Sequence, residues 1–272
     1  MRFLTQNSLT LFDGAISTEL FHRGCPLDGC PEKFALEHPN IIEQIHADYI
    51  RAGAHVITTA TFGANVARLA EHRVTESAGT VSQLLASLAV RVADGRAHVA
   101  GSIGPGCLDE SLEDQIRGLI NAGADFLLFE TMTSLEAAVA AVKSSHPISN
   151  LPIIVSFAFN QNLMTSDGAT IEQVVSRLEA EKIEMIGVNC MTRSEDLVSA
   201  IGRIKAVSSL PVLARPNVGI PKMDNGMLLY PLDRSGFVSV LSDCINAGAA
   251  AVGGCCGTTP EYIHEAKKRL AS

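Results

Sequence analysis

Cys255 and Cys256 stand side by side in the glycine-bounded segment GGCCG, and a third cysteine, Cys190, closes the apolar run MIGVNC. A thiolate is both a nucleophile and a soft metal ligand. Three of them would bind one Zn2+ tetrahedrally and leave the fourth position open, the arrangement of a catalytic rather than a structural zinc. Such an all-sulfur centre is electron-rich and unsuited to polarising a carbonyl. It can instead hold a substrate thiol as thiolate near pH 7, below the free thiol pKa of about 8.5. That thiolate would attack an activated methyl carbon in line with its leaving group. Any one of these cysteines taken alone is more often a small core residue, and their spacing is not that of a zinc finger. The adjacent pair, with a third thiol at the end of another element, favours metal binding over packing. Gly253, Gly254 and Gly257 would let the backbone approach closely enough for neighbouring cysteines to share an ion.

Sharing an ion requires a fold that brings these segments together. Short apolar or β-branched runs alternate with longer stretches of helical apolar spacing, eight times along the chain. The strand candidates are LTLFDGAI from Leu9, HVITTATF from His55, HVAGSIG from His98, DFLLFET from Asp125, PIIVSFAF from Pro152, MIGVNC from Met185, PVLARPN from Pro211 and AAVGGCCG from Ala250. Between them, stretches such as IIEQIHADYIRAG place Ile41, Ile45, Tyr49 and Ala52 on one helical face. In RAGAHV, NAGADF and NAGAAA, the glycines Gly53, Gly123 and Gly248 sit where left-handed C-terminal helix caps belong. The last helix opens with TTPEYI, where Thr259 suits the cap, Pro260 the first helical position and Glu261 the positive helix end.

Alternation of this kind implies a parallel sheet. Eight units that use up the whole chain favour a closed (β/α)8 TIM barrel of α/β class, a single domain over residues 1–272, with an open doubly wound sheet as the alternative. Barrel chemistry lies at the C-terminal ends of the strands. Those ends carry Asp13 and Gly14 after strand one, Thr61 to Asn65 after strand two and Gly104-Pro105-Gly106 after strand three. Glu130 and Thr131 follow strand four, Asn189 and Cys190 strand six, Pro216 and Asn217 strand seven, and Cys255 and Cys256 strand eight. Strands six and eight are separated by one strand, so their terminal side chains can converge above the lumen.

Composition narrows the classes further. The chain has 272 residues, 47% of them hydrophobic and 18% charged, enough to bury a full core. A net charge of -8 argues against nucleic acid, whose phosphates call for clustered Lys and Arg. No stretch reads as a secretory signal, and no run approaches the roughly 18 apolar residues of a membrane span, so a cytoplasmic protein with no membrane partner is expected. Seven cysteines, an odd number, fit metal binding or reactivity better than a disulfide framework.

Several segments together carry a family resemblance: DGAISTEL, EHPNIIEQIHADYIRAGAHVITTATFGAN, DFLLFET, IGVNC, RPNVGIP and GGCCGTTPEYI, in this order from about Leu11 to the C-terminus. The chain resembles the homocysteine S-methyltransferase family. That family includes betaine- and S-methylmethionine-homocysteine methyltransferases and the homocysteine-binding module of cobalamin-dependent methionine synthase. The resemblance implies a (β/α)8 barrel, zinc held by Cys190, Cys255 and Cys256, and an amino-acid acceptor gripped by Asp13-Gly14 and Glu130. Carboxylates and carbonyls suit its ammonium group, and backbone donors its carboxylate. Read without the resemblance, Asp13-Gly14 is a turn and Glu130 a solvated helix cap. TFGAN and PNVGIP look closer to the methionine synthase module than to the betaine enzymes, a comparison that would place Phe62, Asn65 and Asn217 around the pocket.

The resemblance implies methyl transfer to homocysteine, giving methionine or a selenium analogue. S-methylmethionine or S-adenosylmethionine would need only this barrel. Methylcobalamin would have to arrive on a separate corrinoid protein, since no cobalamin-binding or folate-binding domain is expected. A sulfonium donor is therefore expected, while the methionine-synthase-like loops pull toward methylcobalamin. A non-catalytic thiol or metal sensor is the alternative from another class, and the amino-acid contacts of Asp13 and Glu130 favour the enzyme. Little chain remains for an oligomerisation arm, so a monomer or small homo-oligomer is expected. Cys25 and Cys30 in CPLDGC read as free loop thiols rather than a pair, Cys107 as a loop thiol and Cys244 as helical. No lysine ends a strand, which argues against a Schiff-base aldolase.

Overall fold

The structure is a computed structural model that describes residues 9–106, 110–191, 193–224 and 227–270. Its strands are β1 (Thr10–Leu11), β2 (Val56–Thr58), β3 (His98–Ile103), β4 (Phe126–Met132), β5 (Ile153–Phe157), β6 (Met185–Asn189), β7 (Val212–Arg215), β8 (Lys222–Asp224), β9 (Met227–Leu229) and β10 (Ala251–Val252). Eight of them form one parallel sheet in the order β1-β10-β7-β6-β5-β4-β3-β2, and β8 and β9 make a separate antiparallel hairpin in the loop after β7. The ends of the sheet meet. Phe12 bridges Val56 in parallel, the His55 amide donates to Leu11 O at 2.7 Å and the Asp13 amide donates to Val56 O at 2.9 Å. The expected closed barrel is therefore present, and the open sheet is excluded.

Helices cover the outside: α1 (Ile16–His22), α2 (Pro31–Glu37), α3 (Pro39–Ala52), α4 (Val66–Glu71), α5 (Ala78–Ala93), α6 (Glu110–Ala122), α7 (Leu135–Ser145), α8 (Ile171–Ala180), α9 (Ser194–Val207), α10 (Arg234–Asn246) and α11 (Pro260–Leu270). Gly53, Gly123 and Gly248 take positive φ of 102°, 91° and 108° where the sequence places helix ends. On α3 the fully buried stripe is Ile42, Ile45, His46, Tyr49 and Ala52, turned slightly from the expected face so that Ile41 is only half-buried. Several strands are shorter than the apolar runs that announce them. Beyond Phe12 and Thr58, for example, the chain leaves the ladder to build the barrel mouth, and Ile16 already begins α1.

Strand geometry fixes what the lumen contains. Side chains alternate faces along a strand, so residues two apart look into the barrel together. The lower lumen is an apolar plug of Phe12, Val56, Ala100, Phe126, Leu128, Ile154, Met185, Leu213 and Ala251, with Phe12 and Phe126 edge to face at 6.2 Å. The next inward position on the longer strands is polar: Thr58, Ser102, Glu130, Ser156 and Arg215, with Asn189 at the same parity on β6. The plug excludes water from below, and this polar layer forms the floor of the mouth.

The loop between β5 and α8 also braces a neighbouring helix. Asp167 accepts from the Leu135 amide at 3.1 Å, the Glu136 amide at 3.0 Å and Ser134 Oγ at 2.8 Å at the N-terminus of α7. Burial tends to raise this carboxyl, but hydrogen bonds from Thr165, the two amides and Ser134 outweigh it and hold it well below the usual range. A lowered folded pKa stabilises above the unfolded value and loses its effect as pH falls. Asp167→Ala is therefore expected to cost about 1 kcal/mol at pH 7. In urea unfolding the difference shrinks below about pH 4; an equal difference at pH 3 and pH 7 contradicts this.

Candidate active site

The Sγ atoms of Cys190, Cys255 and Cys256 lie within 4.8 Å of one another, and Cys190 Sγ is 3.7 Å from Cys256 Sγ. Backbone makes this convergence possible. Cys190 follows β6 with a left-handed φ of 54°, which turns the chain at the strand end. The Cys255 amide donates to Pro216 O at 2.9 Å and the Cys256 amide to Asn217 Oδ1 at 3.1 Å, tying the segment after β10 to the loop after β7. Two glycines permit the approach: a Cβ on Gly254 would lie 2.2 Å from Thr258 Cγ2, and one on Gly257, whose φ is +81°, would lie 2.4 Å from Tyr230 Cγ. Hydrogen bonds from Cys255 and Cys256 favour the thiolate of Cys190 and lower its pKa, and the same bonds raise both donors. Three half-exposed thiols sharing one small volume fit a soft divalent cation, with a fourth position left for a ligand.

Beside the thiols lies a buried ionic group. Arg215, whose side chain is 4% exposed, donates from Nη2 to Asp13 Oδ1 at 3.0 Å and from Nη1 to Glu130 Oε2 at 3.2 Å. Its Nε donates to Gly254 O at 2.9 Å and its Nη2 also to Gly14 O at 3.1 Å. Burial disfavours the guanidinium charge, and the Glu130 and Asp13 carboxylates outweigh burial and raise its pKa. Burial raises Asp13 to about 6 against the lowering pull of Arg215 and Thr58. Glu130 is raised by burial and by Cys255, with Arg215 and a short hydrogen bond from Ser102 Oγ opposing. Two carboxylates and one guanidinium leave a net negative charge, which suits an incoming ammonium.

A cavity of about 270 Å³ opens over both groups, and its wall includes Gly14, Phe62, Glu130, Cys190, Arg215, Cys255 and Cys256. The other expected contacts stand behind the wall. Asp13 is fully buried, and its oxygens accept from the Thr58 amide at 2.6 Å, from Thr58 Oγ1 and from Arg215, so it reaches the cavity through its partners. Asn65 caps α4 by accepting from the Arg68 amide at 3.0 Å. Asn217 joins two loops, accepting from Cys256 N and donating to Met191 O at 3.2 Å. Cys25 and Cys30 are free thiols but buried, Cys244 is buried in α10, and Cys107 lies outside the described residues.

Sequence reading passed over Arg215, although it sits at the inward parity two residues past Leu213, where a charged side chain must face the lumen. It also passed over the turn at Thr131, a β-branched residue at φ +60°. That conformation costs on the order of 1–3 kcal/mol and persists only where neighbours impose it. Asn189 does so: its Oδ1 accepts from the Thr131 amide at 3.1 Å, and its Nδ2 donates to Thr131 Oγ1 at 2.8 Å.

The raised Asp13 carboxyl makes stability depend on pH. A folded pKa above the unfolded one stabilises fully below the unfolded value, near 4, and the benefit is lost as pH rises through about 6. The wild type is therefore expected to gain on Asp13→Asn by roughly 2–3 kcal/mol between pH 7 and pH 4. Parallel urea titrations of the two proteins measure this, and a gap independent of pH contradicts it.

A closed parallel barrel with three converging thiols at its C-terminal mouth defines the class: a TIM-barrel protein with a cysteine cluster that could hold a metal ion. The chain belongs to the homocysteine S-methyltransferase family, whose model matches residues 10–270. It is similar to homocysteine S-methyltransferase YbgG of Bacillus subtilis (strain 168), at 30% identity over 94% of this chain and 93% of that protein. Methionine synthase of Mycobacterium leprae (strain TN) is 29% identical over 95% of this chain, which spans 24% of that longer protein. Among solved structures, the metallated form of the homocysteine methyltransferase MmuM from Escherichia coli matches with a TM-score of 0.82 at 27% identity, covering 97% of each chain.

Proposed function

We propose that this protein is a zinc-dependent methyltransferase that moves a methyl group from a small sulfonium donor, S-methylmethionine or S-adenosylmethionine, to the thiol of homocysteine, giving methionine. The observation that carries the reading is one cavity lined both by Cys190, Cys255 and Cys256 and by the Glu130 carboxylate. Cys190, Cys255 and Cys256 would hold the zinc, which when bound would supply the Lewis acidity that keeps a thiol deprotonated at neutral pH. Glu130 takes the acceptor's ammonium group. Asp13 acts one step back by fixing Arg215 and, through it, Glu130. Gly14 lines the inner wall. Asn65 and Asn217 hold the loops that frame the pocket.

The sulfur of homocysteine attacks the methyl carbon, a new C–S bond forms, and the old C–S bond breaks with its electron pair going to the departing thioether. Anion and cation are consumed together, so the apolar plug, which keeps water from the site from below, disfavours the charged reactants relative to the transition state. Phe62, 37% exposed on the cavity wall, offers a ring face to a sulfonium. The likeness to methionine synthase supports a second reading, in which methylcobalamin on a separate protein is the donor. Free thiols in this number support a cytoplasmic location, and no described helix is long and apolar enough to cross a membrane.

The test incubates zinc-loaded protein with homocysteine and, in turn, S-methylmethionine, S-adenosylmethionine and protein-bound methylcobalamin, and measures methionine. Methionine formed only from a sulfonium is expected. Turnover with methylcobalamin alone transfers the assignment to the second reading. Homocysteine binding with no donor consumed overturns catalysis in favour of a sensor.

A further inference from the structure

We infer that Arg215 reads the α-carboxylate of the acceptor, so that Arg215 and Glu130 together recognise a zwitterionic amino acid; this rests on the acceptor reading above. A guanidinium carries five N–H donors. Four are committed here: Nε to Gly254 O, both on Nη2 to Asp13 and Gly14 O, and one on Nη1 to Glu130. The second N–H of Nη1 has no partner among the described residues. A buried donor left unsatisfied costs about 1–3 kcal/mol, and Arg215 is 4% exposed yet forms part of the cavity wall. The spare donor is therefore available to a ligand in the cavity.

Position completes the argument. The ammonium and carboxylate of an α-amino acid hang from one carbon, so groups that read both must lie side by side with opposite charge. Arg215 Nη1 and Glu130 Oε2 are 3.2 Å apart on the same wall. Each Glu130 oxygen accepts one hydrogen bond, from Ser102 and from Arg215, and keeps a lone pair for an ammonium. A purely structural arginine would need neither the spare donor nor a place on the wall. Asp13 and Gly14 O hold the guanidinium from behind, so it meets the ligand already oriented.

The experiment reads binding, not turnover. Zinc-loaded wild type and Arg215→Lys are titrated calorimetrically with L-homocysteine and with 3-aminopropane-1-thiol, which lacks only the carboxylate. Lysine keeps a cation between the two carboxylates but loses the fork. In the wild type, homocysteine is expected to bind about 10- to 100-fold tighter than the aminothiol. In Arg215→Lys the gap closes to within a few-fold. An equal gap in both proteins, or none in the wild type, overturns the inference while homocysteine binding leaves the acceptor reading standing. Where Arg215→Lys fails to fold, Arg215→Gln is titrated in its place, and the same closing of the gap is expected. Wild type that binds no homocysteine sinks both.

Discussion

Cys255→Ala is expected to lower bound zinc well below one ion per chain and to reduce methyl transfer by at least about 1000-fold. A site with three protein ligands cannot lose one and keep its affinity, since even outer-sphere changes around such sites cost about 10- to 100-fold. The fold should survive. Cys255 is placed by backbone hydrogen bonds, its amide to Pro216 O at 2.9 Å and its carbonyl from the Thr258 amide at 3.1 Å, and alanine keeps both. Cys190→Ala should behave alike, because its left-handed turn is set by the chain around it. Metal analysis after dialysis, with a methionine assay on the same samples, makes the measurement. Stoichiometric zinc retained in both variants would sink the assignment of the trio.

The second large effect is on stability. Arg215→Met leaves Asp13, fully buried, and Glu130, with a 12% exposed side chain, facing each other without their shared cation. Removing one partner of a buried ionic group costs about 3–5 kcal/mol. At roughly 2–4 °C per kcal/mol for a chain near this size, the melting temperature falls by about 10 °C or more. The sign of its pH dependence follows from the same charges. Arg215 lowers both carboxyls in the wild type, so its loss raises them further, and acidification neutralises them and restores stability. Arg215→Met is thus expected to recover toward pH 5, and Asp13→Asn added to it should recover part of the loss at pH 7. Thermal melts at both pH values report this. A loss below about 1 kcal/mol at pH 7 would show that the cation is not needed to hold the two carboxylates.

The two variants divide the site into a part that was legible along the chain and a part that was not. The cysteine trio was legible because its signal is local: an adjacent pair and a third thiol at strand ends, in a chain whose eightfold alternation already implied where strand ends gather. Glu130 stood out as the polar end of an apolar run, but without the family resemblance it read as a solvated helix cap, and its place on the cavity wall came only with the fold. Arg215 carried a signal of parity, two residues past an inward leucine, but its meaning depended on Asp13 and Glu130, 202 and 85 residues away.

Asn65 and Asn217 were less legible. Each lies in a motif that resembles the family's pocket loops; Asn65 caps a helix, and Asn217 joins two loops through backbone bonds while also hydrogen-bonding the Cys190 thiol. An asparagine amide serves a turn or a ligand equally well, and only the donors that surround it decide. The short strands have a related cause. Apolar character continues past Phe12 and Thr58 because the mouth is buried too, so hydrophobicity runs on where the hydrogen-bonded ladder has stopped.

By itself, the sequence determined the barrel, the face that carries the chemistry and the three thiols, because period, punctuation and strand-end position are local properties that any closed parallel sheet must express. Only the tertiary structure decided that Asp13 stands behind Arg215, that Arg215 joins Glu130 at the cavity wall, and that one guanidinium N–H has no partner among the described residues. Those facts depend on which side chains barrel closure brings within hydrogen-bond reach, and contacts across that many residues leave no periodic trace in the chain.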